Sequence, residues 1–312
     1  MEIPVVKSST SSRLTRGYLI CLVATALWAT TGIIISYLCR AYHIPPMVLS
    51  FWRDLFVALA VAAVLLIANR SRFRVGWENL RFLVAYGLVL SLFNSLWTTS
   101  INLNGAAIST VLVYSSTAFT AVFARWLFGE RLDRIKAMAV ALTMLGCILV
   151  AEAYNPSVWK VNALGVITGL VSGIGFAAYI LMGKSSTNKG INPWSTLMYS
   201  FGIASIFLLA FNQFEGWLPP GVASSNILWL GSSITGWLIL LFLGIGPSAG
   251  GFGLYTVSLT YLPASIANLI AALEPVMTAG LAFLLLGERF GTPQWIGSVL
   301  IILSVVLLRL RE

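Results

Sequence analysis

The sequence predicts an all-α integral membrane protein in which ten transmembrane helices form two inverted five-helix repeats with both termini in the cytoplasm. Three observations carry this reading. Hydrophobic residues make up 58% of the 312 and charged residues only 9%, with a mean hydropathy of +0.90, whereas soluble chains carry about 25% charged residues. Apolar runs recur along the whole chain, each near the roughly 20 residues that span a bilayer core. Finally, "LWTTSINLNGAAIS" (Leu96 to Ser109) aligns without a gap on "LYTVSLTYLPASIA" (Leu254 to Ala267) at an offset of 158.

Breaks at proline, glycine and charge clusters place the spans at 17–38, 46–68, 82–101, 105–128, 135–152, 163–183, 193–212, 238–259, 263–286 and 293–310. Lys7, Arg13 and Arg16 ahead of the first run give it the flank of a signal peptide, but its length and the nine helices that follow make it a first membrane span behind a cytoplasmic tail, 1–16. The longest loop follows the seventh span, and its Trp217 and Trp229 mark an interfacial segment.

Orientation comes from counting basic residues. With the N-terminus inside, fifteen of the nineteen lysines and arginines lie on the cytoplasmic side, Arg40, Lys160 and Arg289 lie outside, and Arg53 falls within a span. The net charge of +9, which in a soluble protein would suggest nucleic acid, therefore reads as topology. The copies cover 17–152 and 163–310 around an external linker, 153–162. Five helices per copy is an odd number, so the second copy is upside down relative to the first. At the same offset "FGER" (Phe128 to Arg131) meets "LGER" (Leu286 to Arg289), the first running into basic "LDRIK" and the second into nearly neutral "FGTPQ". Upstream, "GYLICLVATALWATTG" from Gly17 pairs more loosely with "GVITGLVSGIGFAAYI" from Gly165.

Composition also narrows the chemistry. Cys21, Cys39 and Cys147 have neither CxxC nor metal-ligand spacing, and the single histidine, His43, sits in a loop. There is no surface cluster of His, Asp or Cys of the kind a lipid-modifying enzyme needs, and no nucleotide-binding G-x-x-x-x-G-K-[S/T]. No enzyme activity, metal, cofactor or nucleic-acid partner is expected. The expected partners are a small-molecule substrate and the lipid bilayer, with protons an open question and monomer or homodimer undecided.

Glu274 is the sharpest functional candidate. It lies eleven residues past Pro263, about 16 Å along a helix and so near mid-membrane, where an ionised acid costs about 2.5–3.5 kcal/mol on insertion scales. Either it faces the bundle interior and exchanges a proton during a transport cycle, or it accepts hydrogen bonds from backbone freed by Pro275 or pairs with an arginine. Arg53 and Asp54 lie about two turns into the second span. They form a local pair, meet Glu274, or clamp a substrate carboxylate.

The eighth span, "LGIGPSAGGFGLY", holds Gly244, Gly246, Pro247, Gly250 and Gly251. It reads as an interrupted helix beside a binding site, with close helix packing as the alternative. Further cavity candidates are Trp28, Asn94, Trp97, Tyr114, Ser115, Tyr179, Tyr255 and Asn268, with Trp97 and Tyr255 in register across the repeat. In each G-E-R the glycine is expected to end a helix and Glu130 or Glu288 to cap the next one.

Together these residues resemble the drug/metabolite transporter superfamily, specifically its ten-helix EamA-type members. The resemblance runs from Gly17 to about Leu310: the tandem repeat, Leu27-Trp28 in the first span, Arg53 in the second, Glu274-Pro275 in the ninth, and the terminal G-E-R at Gly129 to Arg131 and Gly287 to Arg289. It implies a secondary transporter of the bacterial plasma membrane that moves a small metabolite through a central cavity by alternating access, often exporting amino acids or related amphipathic compounds. Uptake of a vitamin, purine or nucleotide derivative is the alternative, and a non-transporting sensor or scaffold is the reading from another class. Members often carry a proline where this chain has Thr117, so a kink in the fourth span matching that at Pro275 lacks its usual cause.

Overall fold

The computed structural model describes residues 6–68, 75–150, 152–155, 162–286 and 291–311, with side chains at all of these except 6–12, 107, 217, 279, 282–286, 310 and 311. Arg70, Arg72, Arg74, Lys160 and the second G-E-R motif lie outside the described residues. Among the described residues all extended regular structure is helical. The helices are α1 (Val6–Ala41), α2 (Pro46–Ala68), α3 (Trp77–Asn104), α4 (Ala106–Tyr114), α5 (Ser116–Phe128), α6 (Arg134–Val150), α7 (Ala163–Asn188), α8 (Pro193–Gln213) and α9 (Ile234–Leu243). A π-helical segment (Gly244–Gly250) then leads into α10 (Gly251–Ser258), followed by α11 (Ala264–Ala271), α12 (Glu274–Leu286) and α13 (Thr292–Arg311).

Among the described residues eight stretches are long and apolar enough to cross a membrane, Ala264–Thr278 is a shorter apolar helical stretch, and α6 is 17 residues long. Two expectations change in detail. Residues 6–16, expected as a tail, include the first turns of α1. The spans expected as single helices at 105–128 and 263–286 are each divided in two.

Local chemistry sets the ends. Asn162, Asn192 and Ser233 accept hydrogen bonds from the first turns of α7, α8 and α9 at 3.0, 3.0 and 3.3 Å, satisfying donors that have no partner within the helix. Pro193 follows its cap at the first helical position, where a missing N–H costs nothing. Gly129 ends α5 at φ 65°, and the Glu130 N–H reaches back to the Ala124 carbonyl at 3.3 Å.

The packing is inside out relative to a soluble protein. Arg53, Asp54, Asn94, Asn212 and Asn268 are fully buried, while Ile67, Trp126, Leu127, Ile206 and Phe242 are exposed, as a lipid-facing surface requires. The neighbour relations repeat across the two halves: α3 packs on α7 as α10 packs on α1, α2 packs on α8, and α6 packs on α13. The α6–α13 contact is backbone to backbone. A Cβ at Gly146 would lie 2.5 Å from Ile301 Cγ1 and 2.7 Å from the Gly297 carbonyl, and the same contact is joined by a 2.7 Å Thr143–Ser304 hydrogen bond. Gly146→Ala is therefore expected to cost roughly 1–3 kcal/mol through overpacking, read as a lower midpoint of thermal unfolding in detergent.

Candidate functional site

Two helix breaks meet at the centre of the bundle. In the second half α11 stops at Ala271, the Leu273 N–H bonds back three residues to Ile270, and α12 starts at Glu274. Pro275 thus lies in the first turn of a new helix, where it disturbs least, and does not kink a continuous one. In the first half α4 stops at Tyr114 and α5 starts at Ser116, the same place at the repeat offset, without any proline. Two hydroxyls bond to carbonyls at the break: Ser115 Oγ donates to the Leu112 carbonyl at 2.7 Å and Thr117 Oγ1 to the Tyr114 carbonyl at 2.9 Å. A break in the fourth span, which Thr117 left without a cause in the sequence, is present without the proline.

Between these breaks lies a narrow cavity of about 30 Å³, lined among the described residues by Trp28, Thr31, Phe93, Trp97, Val113, Tyr114, Phe176, Phe252 and Glu274. Tyr114 donates to Glu274 Oε2 at 2.6 Å, joining the last residue of α4 to the first of α12. Trp28 is edge-on to Phe176 at 6.0 Å and tilted on Phe252 at 4.8 Å. Gly251 makes room for it, since a Cβ there would lie 2.5 Å from Trp28 Cδ1.

Of the cavity candidates from the sequence, Trp28, Trp97, Tyr114 and Glu274 are brought together here. Tyr255 and Tyr179 are buried behind the wall, Tyr255 packing on Trp28 at 4.9 Å and Tyr179 on Tyr86 at 5.0 Å. Asn268 ties α11 to α5 by donating to Ser116 and Thr120 at 3.2 and 3.0 Å, and Ser115 is used at the helix break. Gly246, Pro247, Gly250 and Gly251 lie outside the lining. They form the π segment and its exit, which pack on α1 and α2, a Cβ at Gly250 or Gly251 lying 3.0 Å from Leu27 or 2.5 Å from Trp28.

Above and below the cavity the two ends of the bundle differ. Towards the Ala41 end of α1, an open vestibule of about 680 Å³ is lined by Ile33, Ser36, Tyr37, Arg40, Asn104, Gly105 and Ala106 among others. Ser36 lies five residues past Thr31, about 7.5 Å along the helix. At the opposite end the segment joining α10 to α11 is pinned. Lys184 Nζ donates to the Leu259 and Leu262 carbonyls at 2.8 and 3.0 Å. Glu130 accepts from the Ala264 N–H at 2.8 Å and from the Ser265 hydroxyl, and Lys136 Nζ reaches Glu130 at 3.3 Å and Ser265 at 2.7 Å. Glu130 was expected to cap the next helix in sequence. Asp133 does that instead, accepting from the Lys136 N–H at 2.9 Å, and Glu130 caps α11 in the other half of the chain.

Comparison with known proteins fits this geometry. The profile of the EamA-like transporter family matches residues 15–151 and 163–310. The chain belongs to the EamA-like transporter family. It is 24% identical, over 95% of both chains, to "Uncharacterized inner membrane transporter YicL" of Salmonella typhimurium, and 24% identical, over 90% of both, to "Probable amino-acid metabolite efflux pump" of Escherichia coli K12. A solved crystal structure at 17% identity has the same fold, with a TM-score of 0.74 over 95% of this chain and 97% of that one. This EamA-like chain is a multi-pass membrane protein.

The charges of this family member separate into two kinds. Arg53 and Asp54 are neighbours on α2, and the arginine side chain bends back so that Nε and Nη2 meet Asp54 Oδ1 at 3.2 and 3.3 Å, while Asn94 Nδ2 donates to Oδ2 at 2.7 Å. The Arg53 guanidinium also lies over the Trp97 ring at 6.0 Å. Of the three expected arrangements the structure has the local pair. Glu274, by contrast, has no lysine or arginine within ion-pairing distance among the described residues.

Sequence reasoning missed Thr31, Phe93, Val113, Phe176 and Phe252 as lining residues, and the Glu130, Lys136 and Lys184 contacts. Phe176 had a signal: it falls on Trp28 when Gly165 is placed on Gly17. Lys136 and Lys184 had been absorbed into the topology count, and Glu130 had been assigned to a local cap. Removing one member of the buried pair leaves the other uncompensated, so Asp54→Leu is expected to cost about 3–5 kcal/mol, and Arg53→Met with Asp54→Leu together much less. Thermal unfolding of the two singles and the double tests this, and equal destabilisation by all three would refute it.

Proposed function

We propose that this chain is a secondary active transporter of the bacterial inner membrane that exports amino acids or related amphipathic metabolites by alternating access. One observation carries the reading: a central cavity holding a carboxylate with no basic partner among the described residues lies between an open vestibule at one end and a pinned segment at the other. In the proposed topology ten spans form two inverted copies with both termini cytoplasmic. It is supported by the two matched stretches, the repeated neighbour relations and the helix breaks at equivalent positions. The vestibule then opens outward and the Glu130–Lys136–Lys184 contacts close the cytoplasmic end. Movement of one copy against the other exchanges which end is closed.

The efflux pumps among the relatives support the direction and the substrate range. Glu274 is the coupling candidate. The titratable groups that interact with it are Tyr114 from α4 and Cys147 from α6. An acid held against a phenol and a thiol, without a cation, is placed to change its charge as the cavity is wetted and dried.

Counterflow of labelled amino acids into proteoliposomes tests the transport reading, and no saturable flux of any pooled amino acid would remove it. Glu274→Gln is expected to flatten the pH dependence of that flux between about pH 6 and 8. A variant whose profile matches the wild type leaves transport standing but removes the proton role. For the closed end, a cysteine replacing Leu262 is expected to resist maleimide in open membrane fragments and to react several-fold faster once Glu130→Ala is added, whereas a cysteine at Ser36 reacts in both backgrounds.

A further inference from the structure

The chemistry of the cavity wall selects among the solutes a transporter of this kind carries. Six of the nine lining residues are aromatic, one is acidic and none is basic. The buried cation Arg53 lies over the ring of Trp97, a lining residue, and is already paired with Asp54. We propose that the cavity recognises a small organic cation by its ammonium group, seated between the Glu274 carboxylate and the surrounding rings, and does not require a substrate carboxylate. This rests on the reading of the cavity as the transport site and narrows it.

Three features support the assignment. An ammonium leaving water needs replacement for its hydration, and here a carboxylate and the negative faces of Trp28, Phe93, Trp97, Tyr114, Phe176 and Phe252 supply it. A metabolite anion meets the same carboxylate and the same ring faces with the wrong sign. Tyr114 occupies one acceptor position of Glu274, and a carboxylate offers about four, so acceptors remain for the donors of an ammonium.

The other polar atoms of the wall define the rest of the ligand. Trp28 Nε1, Trp97 Nε1 and Thr31 Oγ1 are buried without a hydrogen-bond partner. Buried donors of this kind call for an acceptor on the occupant. A neutral hydroxyl, ester or amide oxygen fits them and leaves the filled site without net charge. An amino-acid carboxylate can reach the same donors but adds a second negative charge beside Glu274. The expected order of affinity is therefore amino alcohol or amino ester, then amino acid, then the acid lacking its amine.

Thermal stabilisation of the purified full-length protein reads this order directly, because a ligand of the folded state raises its stability by mass action. Phenylalaninol and phenylalanine methyl ester are expected to bind at least tenfold more tightly than 3-phenylpropionate, with phenylalanine between. Choline is expected to bind at least tenfold more tightly than its neutral isostere 3,3-dimethylbutanol, a comparison that needs only the wild-type protein. In Glu274→Gln the preference for choline over the isostere collapses, and Trp28→Leu lowers it several-fold. Equal stabilisation by the amine and the deaminated acid, or by choline and its isostere, overturns the assignment, as does a Gln variant that keeps the preference. Counterflow, scored separately on the same protein, shows whether transport survives such a result.

Discussion

In a chain with so few charges, the constraint on which the rest depends is that a charged group within the bilayer must find its compensation inside the protein. Arg53 and Asp54 meet it by closing on each other, with Asn94 completing the acid's hydrogen bonding. Glu274 meets it differently. Its phenol partner, Tyr114, comes from the other half of the chain, and it borders a cavity walled mostly by aromatic rings. The first arrangement consumes its charges and the second leaves one in use. That contrast locates the candidate site more sharply than any motif.

The helix breaks make the second arrangement available. Because α4 ends at Tyr114 and α12 begins at Glu274, two half-helix ends face the same space, and the residues bonded across it sit where backbone direction changes. The break occurs in both halves, with Pro275 beside it on one side and the Ser115 and Thr117 hydroxyls bonded to carbonyls on the other. Near-symmetry of backbone thus coexists with asymmetry of charge.

Glu130 shows the same principle at the end of the bundle. The first N–H of α11 has no side-chain cap from its own turn, since Pro263 precedes it, and a carboxylate 134 residues away supplies one. Lys184 likewise satisfies carbonyls at the end of α10. These bonds pin one end of the bundle through charges that are themselves largely out of water, the Lys136 and Glu130 side chains being 8% and 10% exposed, so each charge and backbone group there depends on the others for its partners.

The membrane class, most span positions and the family resemblance were legible in the sequence, because hydropathy, basic-residue asymmetry and internal similarity are properties of composition and order along the chain. Trp28, Trp97, Tyr114 and Glu274 could be named as cavity candidates for the same reason: each is a large or polar residue in an apolar run. Which of the longer candidate set share one space depended on rotation about helix axes and on where the helices break. Tyr179, Tyr255 and Asn268 carry the same kind of sequence signal as Tyr114, yet packing turns them into wall or tie. The break at Ser115 and the reach of Glu130 to Ala264 were decided only by tertiary structure, since both depend on which backbone groups lack a partner once distant helices have come together.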